Sequence, residues 1–209
     1  KSMIKGVKIC GVSDIKTLDY IINHPHPPKF VGFICNFKKS KRYVSYEYLK
    51  KLINVDRKNI NFVSVLVNPD NQTLEKISKL NFDYYQLYDV DPNQTKFIKK
   101  NYGKKIISAL TIEKREDVNK YLLYKDISDI ILFDGKGYEK SIGFDHKFLS
   151  NVPIDITKMI AGNLDIKNIP KLENIDFFID LSGSLENEQG KKDLQKIDYF
   201  LSNIIHYET

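Results

Sequence analysis

Short apolar runs and amphipathic stretches alternate from one end of this 209-residue chain to the other. The runs at 7–10, 30–35, 61–67, 83–87, 105–109, 129–133, 157–161 and 177–180 are bounded by polar residues or glycine, as strands buried on both faces are. Between them, apolar residues recur at helical spacing. Ile15, Leu18, Ile21 and Ile22 make one stripe within 14–22, and Leu194, Ile197, Phe200, Leu201 and Ile204 another within 191–205. Further helices are predicted at 46–53 behind Ser45, at 74–80 behind a Pro-Asp-Asn opening, and at 113–123 behind Thr111. After the sixth and seventh strands the helical patterns are short and irregular.

Eight strand–helix units in series predict an α/β protein with a parallel sheet. Eight in one domain suit a closed (β/α)8 barrel better than a doubly wound open sheet. No Gly-x-Gly-x-x-Gly run follows the first strand and no P-loop pattern occurs, which also counts against the open sheet. Neither a linker nor a low-complexity segment interrupts the series, so residues 3–209 are expected to form one domain; Lys1 and Ser2 are left out of the reading.

Composition adds limits. The apolar fraction of 42% suffices for one core, and the charged fraction of 29% is ordinary for a solvated surface. A net charge of +6 raises the question of nucleic acid, but the lysines are spread among acidic residues rather than gathered in a stripe, so no nucleic-acid partner is expected. No apolar run is long enough to span a membrane and no signal-like segment opens the chain, so no membrane partner is expected. Two cysteines make no disulfide framework and fit a reducing, cytoplasmic setting.

In such barrels the chemistry gathers at the C-terminal ends of the strands. Read in order, those ends offer Cys10, Cys35, Asn68, Gln86, Ser108, Asp134, Gly162 and Asp180. Lys8 and Cys10 alternate onto one side of the first strand, which puts a cation beneath a thiol and favours the thiolate. Cys10 read as a small packed residue is the competing account. Asp134 and Asp180 each end a buried apolar strand, as loop caps or as acids with raised pKa. Two carboxylates and a thiol converging on one mouth favour catalysis. Arg42, one of three arginines in a lysine-rich chain, offers a planar fork for a carboxylate or phosphate, or is an ordinary basic loop residue. His24 and His26 lie among prolines in a helix-to-strand connection at the opposite end and are read as surface loop. No metal ligand set is evident.

The motifs taken together resemble the phosphoribosylanthranilate isomerase family over nearly the whole chain. Lys8-Ile9-Cys10-Gly11 matches its Lys-Ile-Cys-Gly opening, and Ser40-Lys41-Arg42-Tyr43-Val44-Ser45 resembles its Ser-Pro/Lys-Arg-Tyr-Val-Ser loop. Val63 to Asn68 looks like its third strand, Gln86-Leu87 like the Gln-Leu of its fourth, and Leu132-Phe133-Asp134 like the Leu-Leu-Asp of its sixth. Gly143-Phe144-Asp145 resembles the Phe-Asp-Trp stretch beyond, and Ala161-Gly162 starts like Ala-Gly-Gly-Leu. Asp180 to Asp193, "DLSGSLENEQGKKD", looks like Asp-Val-Ser-Ser-Gly-Val-Glu and the Gly-Lys-Lys-Asp that follows.

The resemblance implies a cofactor-independent and metal-independent Amadori rearrangement in tryptophan biosynthesis, acting on a phosphorylated small molecule. N-(5'-phosphoribosyl)anthranilate would become 1-(2-carboxyphenylamino)-1-deoxyribulose 5-phosphate, with Asp134 as general acid and Cys10 as general base. Lys8, Arg42, Gln86 and Asp180 would bind substrate, with Arg42 on the anthranilate carboxylate. Gly162, Asn163, Gly183 and Ser184 would hold the phosphate. Departures gather at that phosphate cradle. Tyr138-Glu139-Lys140-Ser141 replaces a glycine-rich run, Asn163 replaces a second glycine, Gly183-Ser184 stands for Ser-Gly, and Tyr88-Asp89 stands for His-Gly. Asn tolerates the left-handed backbone glycine adopts, and Lys140 could supply charge in place of lost backbone contacts. The alternatives are a barrel isomerase with a shifted substrate and a non-catalytic barrel binding a metabolite or partner protein. The loop 135–143 is expected to act as a lid.

Overall fold

The computed structural model describes residues 3–137 and 142–207. Eight parallel strands close into a barrel in sequence order. They are β1 (Met3–Cys10), β2 (Phe30–Ile34), β3 (Asn61–Val67), β4 (Tyr84–Tyr88), β5 (Lys105–Ile112), β6 (Ile130–Gly135), β7 (Lys158–Ile160) and β8 (Asp176–Leu181). β8 pairs with β1 from Met3 opposite Asp176 to Ile9 opposite Leu181, with a register shift between Ile4 and Gly6. That pairing closes the barrel and leaves no open sheet edge.

The helices α1 (Ile15–Ile22), α2 (Tyr46–Leu52), α3 (Asn71–Ser78) and α4 (Pro92–Tyr102) each follow a strand and start on a side-chain cap. Asp14, Ser45, Asp70 and Asp91 accept from the backbone N–H groups of Thr17, Tyr48, Thr73 and Gln94. Helix α4 has no counterpart among the sequence-predicted helices, because its apolar stripe is thin: of its side chains only Thr95 and Ile98 are buried. Its ends are nevertheless marked by Asp91-Pro92 at the start and by Gly103, at φ 61°, at the finish. The predicted helix at 113–123 is a 3-10 segment (Arg115–Lys120) followed by the single turn α5 (Tyr121–Tyr124). A 3-10 turn (His146–Leu149) follows β6, turns alone join β7 to β8, and α6 (Leu194–Ile204) ends the series.

Strand alternation divides the apolar residues into two sets. One fills the space between sheet and helices and includes Val7, Ile9, Phe33, Phe62, Leu66 and Phe133. The other fills the barrel interior and includes Cys10, Phe30, Val63, Ile107, Leu132 and Phe178. Phe30 packs edge-on against Tyr84 and Phe178, with ring centroids 5.4 and 5.1 Å away, and gives the barrel an apolar base.

The surface-loop reading holds for His26, which is exposed, and is corrected for His24. His24 is buried, its Nε2 lies 2.7 Å from Asp198 Oδ1, and its Nδ1 accepts from the His26 N–H at 3.0 Å. That acceptance puts the ring proton on Nε2, so His24 ties the α1–β2 loop to α6 by donating to Asp198. The expectation for Lys140, and the centre of the proposed lid, fall on residues 138–141, outside the described residues.

Candidate active site

Above the apolar base the interior turns polar. A cavity of about 460 Å³ opens at the C-terminal ends of the strands, with Cys10, Tyr88, Asp134 and Asp180 facing it from four different strands. Alternation accounts for this: Lys8 and Cys10 share a face of β1, Gln86 and Tyr88 a face of β4, and Phe178 and Asp180 a face of β8.

Lys8 and Gln86 are fully buried beneath the cavity and do not line it. The Lys8 ammonium donates to Asp180 Oδ1 at 3.0 Å. Burial by itself would lower the Lys8 pKa, but Asp180 and then Cys10 more than offset it, so Lys8 is held cationic. Burial raises the Asp180 carboxyl, with Lys8 and Lys192 pulling against it.

Cys10 departs from the thiolate expectation. Burial pushes its thiol up, Lys8 pulls it down, Asp180 raises it and Lys192 lowers it, and the net direction is upward. The cation beneath the sulfur is present, but the desolvated position outweighs it, and the resting group is a thiol. Gly32 on β2 makes room for this arrangement, since a Cβ there would come 2.9 Å from Cys10 Sγ and 3.1 Å from Lys8 Cε.

Arg42 reaches the cavity wall from the loop after β2, and its guanidinium is engaged. Nε donates to Glu186 Oε2 and Nη2 to Glu186 Oε1, both at 2.7 Å, a bidentate pair with both side chains buried. Lys192 donates to the same Glu186 Oε2 at 2.7 Å and is itself buried. Burial would raise the Glu186 carboxyl, but Arg42 and Lys192 hold it below its ordinary value. Among the described residues two cations share one carboxylate here, a net positive charge suited to an anionic ligand. Gly11, at φ 81°, lets the Arg42 stem pass, because a Cβ there would lie 2.5 Å from Arg42 Cδ. Ser182, after β8, donates to the Cys10 carbonyl at 3.0 Å and accepts from Lys192 Nζ at 3.3 Å, joining this wall to the end of β1.

Gly162 and Asn163 follow β7, and Gly183 and Ser184 follow β8; all four line the cavity, and Gly183 lies beside Arg42, where an added Cβ would come 3.8 Å from Nη2. Gly162 has φ 111° and Asn163 φ 54°, so the left-handed backbone survives the loss of a glycine. The Asn163 carbonyl accepts from Asn168 Nδ2 at 2.6 Å. The Ser184 hydroxyl is buried and has no partner among the described residues, an unmet donor beside the cavity. Among the described residues no three His, Cys, Asp or Glu side chains cluster as a metal site would require. No described helix is long and apolar enough to cross a membrane.

Three participants escaped the sequence reading. Glu186 and Lys192 lie within the quoted run after the eighth strand, but nothing in spacing alone brings them back to Arg42, 144 residues away in the case of Glu186. Tyr88 was within reach, because one more step of the Tyr84–Gln86 alternation places it on the mouth. Cys35 and Ser108, offered by the strand-end rule, face the outer layer: Cys35 Sγ accepts from Ser64 Oγ, and Ser108 Oγ meets Ser128 Oγ.

The chain matches the family model of N-(5'phosphoribosyl)anthranilate (PRA) isomerase over residues 7–203. It is 31% identical over 206 residues to the N-(5'-phosphoribosyl)anthranilate isomerase of Zymomonas mobilis subsp. pomaceae, covering 94% of this chain and 96% of that one. It is also 31% identical over 209 residues to the Agrobacterium fabrum protein of the same name, covering 95% and 94%. Among solved structures it is similar in fold to phosphoribosyl anthranilate isomerase from Thermotoga maritima, with a TM-score of 0.81, 22% identity, and coverage of 98% of this chain and 100% of that one.

Proposed function

Because the chain belongs to the N-(5'-phosphoribosyl)anthranilate isomerase family, we propose that it converts N-(5'-phosphoribosyl)anthranilate to 1-(2-carboxyphenylamino)-1-deoxyribulose 5-phosphate. The observation that carries this reading is that Cys10 and Asp134 face one cavity from β1 and β6. An Amadori rearrangement needs one acid and one base at different atoms of a sugar. Asp134 gives its proton to the furanose ring oxygen, and the C1'–O bond breaks to leave a protonated Schiff base. Cys10 acts through the small fraction of it that has already lost its proton to solvent; that thiolate removes the C2' proton, becoming the thiol, and the electron pair forms the C1'–C2' double bond of the enolamine. Tautomerisation then gives the ketose.

The substrate's two anionic ends suit a cavity in which the Arg42 guanidinium adjoins the loop after β8 at Gly183 and the loop after β7 also lines the space. The anthranilate carboxylate is assigned to the Arg42–Glu186–Lys192 group, whose net charge among the described residues is positive. The phosphate is assigned to the backbone around Gly162, Asn163 and Gly183 and to the Ser184 hydroxyl. Asp180 serves from the floor, holding Lys8 beneath Cys10, and Gln86 serves through Tyr88. The left-handed Asn163 supports a cradle that keeps its shape, which favours the isomerase over a non-catalytic barrel. Residues 3–209 act as one domain in this reading, and the two free cysteines suit a reducing compartment such as the cytoplasm.

The test is fluorescence-monitored turnover of N-(5'-phosphoribosyl)anthranilate by the wild type, Cys10→Ser and Asp134→Asn. Activity is expected in the wild type and a loss of about 10²-fold or more in each variant, with folding intact. Unchanged turnover in Cys10→Ser would remove the assigned base, and an inactive wild type would remove the reaction.

A further inference from the structure

The loop that carries Arg42 is fastened, beyond the end of β2, by a side chain. Register between β2 and β3 runs to Ile34 opposite Val65, and Cys35 N–H still donates to Val65 O at 3.1 Å. One residue on, Asn36 continues the ladder with its amide. Its Nδ2 donates to Val67 O at 2.9 Å, and its Oδ1 accepts from Val67 N–H at 2.8 Å. The two bonds run in opposite senses, so an amide satisfies both and a carboxylate or an alkyl group does not. Val67 is a firm anchor. It pairs with Tyr88 on β4, and the next residue, Asn68, donates its N–H to Tyr88 O at 2.9 Å.

From this clasp a chain of hydrogen bonds leads to Arg42. The carbonyl of Phe37, next to Asn36, accepts from Ser40 N–H at 3.1 Å, and Ser40 Oγ accepts from Arg42 N–H at 3.0 Å. Val44 N–H donates to Ile34 O at 3.0 Å and closes the loop at its neck. Phe37, Ser40, Arg42 and Val67 all line the cavity. Arg42 is thus set from both ends, its backbone through Asn36 to β3 and its guanidinium through Glu186 to the loop after β8.

We propose that Asn36 is a positioning residue: by clasping Val67 it fixes the loop so that Arg42 meets the substrate's carboxylate without further ordering. This rests on the isomerase reading given above, which assigns that carboxylate to Arg42. A loop already held in its bound geometry loses little freedom when the ligand arrives, so the clasp strengthens binding of the carboxylate end. The carboxylate is remote from the reacting atoms and is held alike in ground state and transition state. Its loss of hold therefore raises KM and leaves kcat.

The experiment uses the full chain as wild type, Asn36→Ala, Asn36→Asp, Arg42→Gln and the double variant of Asn36→Ala with Arg42→Gln, each checked for folding by circular dichroism. Asn36→Asp keeps the volume and the acceptor but sets an oxygen against Val67 O. Turnover of N-(5'-phosphoribosyl)anthranilate is paired with dissociation constants of anthranilate alone and of inorganic phosphate alone. In both Asn36 variants KM and the anthranilate constant are expected to rise about three- to tenfold, with kcat and the phosphate constant changed much less. On top of Arg42→Gln, Asn36→Ala should weaken anthranilate no further, because the group it positions is gone. The proposal is overturned by equal weakening of anthranilate and phosphate, by an unchanged anthranilate constant, or by additive losses in the double variant. It also falls if the wild type binds anthranilate no more tightly than Arg42→Gln does. A wild type without turnover removes the isomerase reading; coupled loss of anthranilate binding would then still uphold the clasp, and its absence would overturn both.

Discussion

Cys10 shows how a single group can be placed correctly and still be misjudged in its charge. Lys8 lies beneath it, as alternation along β1 requires, yet burial outweighs the cation and the thiol is pushed above its ordinary 9.0. Ultraviolet thiolate absorbance of wild type minus Cys10→Ser is therefore expected to titrate with a midpoint above 9.0. Alkylation of Cys10 by iodoacetamide should be slow at neutral pH and quicken as pH rises. A midpoint at or below 9.0 would mean that the lysines dominate. Cys35 is pushed up to about 12 by burial, so it stays silent in the same titration and Cys10→Ser is a clean reference.

The connections between elements explain which departures from family pattern are tolerated. Asn163 and Asp89 stand where the resemblance expects glycine, and both hold positive φ, 54° and 55°. Their short polar side chains support that backbone locally. Alanine cannot, so Asn163→Ala is expected to cost about 1–2 kcal/mol in urea unfolding, with Asn163→Gly close to neutral. Gly103, the cap of α4, isolates the same term: φ is 61° and an added Cβ meets nothing within 4 Å, so Gly103→Ala should also cost about 1 kcal/mol by strain alone. Equal stability of both alanine variants with wild type would overturn this account. Gly11→Ala differs in kind, because strain at φ 81° is joined by collision with Arg42, and substrate affinity should fall along with stability.

Across the molecule, the barrel is tied together by charge as well as by its apolar layers. Glu186 after β8 grips Arg42 from the loop after β2 and Lys192 from the approach to α6. Glu186→Ala leaves two buried cations without their carboxylate and is expected to cost about 3–5 kcal/mol. Because Arg42 and Lys192 hold the folded-state pKa of Glu186 below its ordinary 4.5, this contribution is complete above that value and is lost as pH falls through the lower folded-state value. Urea midpoints of wild type and Glu186→Gln should therefore converge on acidification below 4.5; a constant gap would contradict it. Much of this barrel was legible in the linear chain. Buried parallel strands are continuous apolar runs, and caps such as Asp14 and Ser45 announce the helices. Strand ends also pointed to Cys10, Asp134 and Asp180, all of which line the cavity, because inward-facing residues at those ends meet at the barrel mouth. The same rule offered Cys35 and Ser108, which face outward, since a strand's end is written in its sequence but the phase of its alternation against the barrel axis is not. Folding alone determined the burial that keeps Cys10 protonated, the reach of Glu186 to Arg42, and the contact of Tyr88 with Asp134. Those effects depend on desolvation and on distances between segments far apart in the chain, which no local pattern encodes.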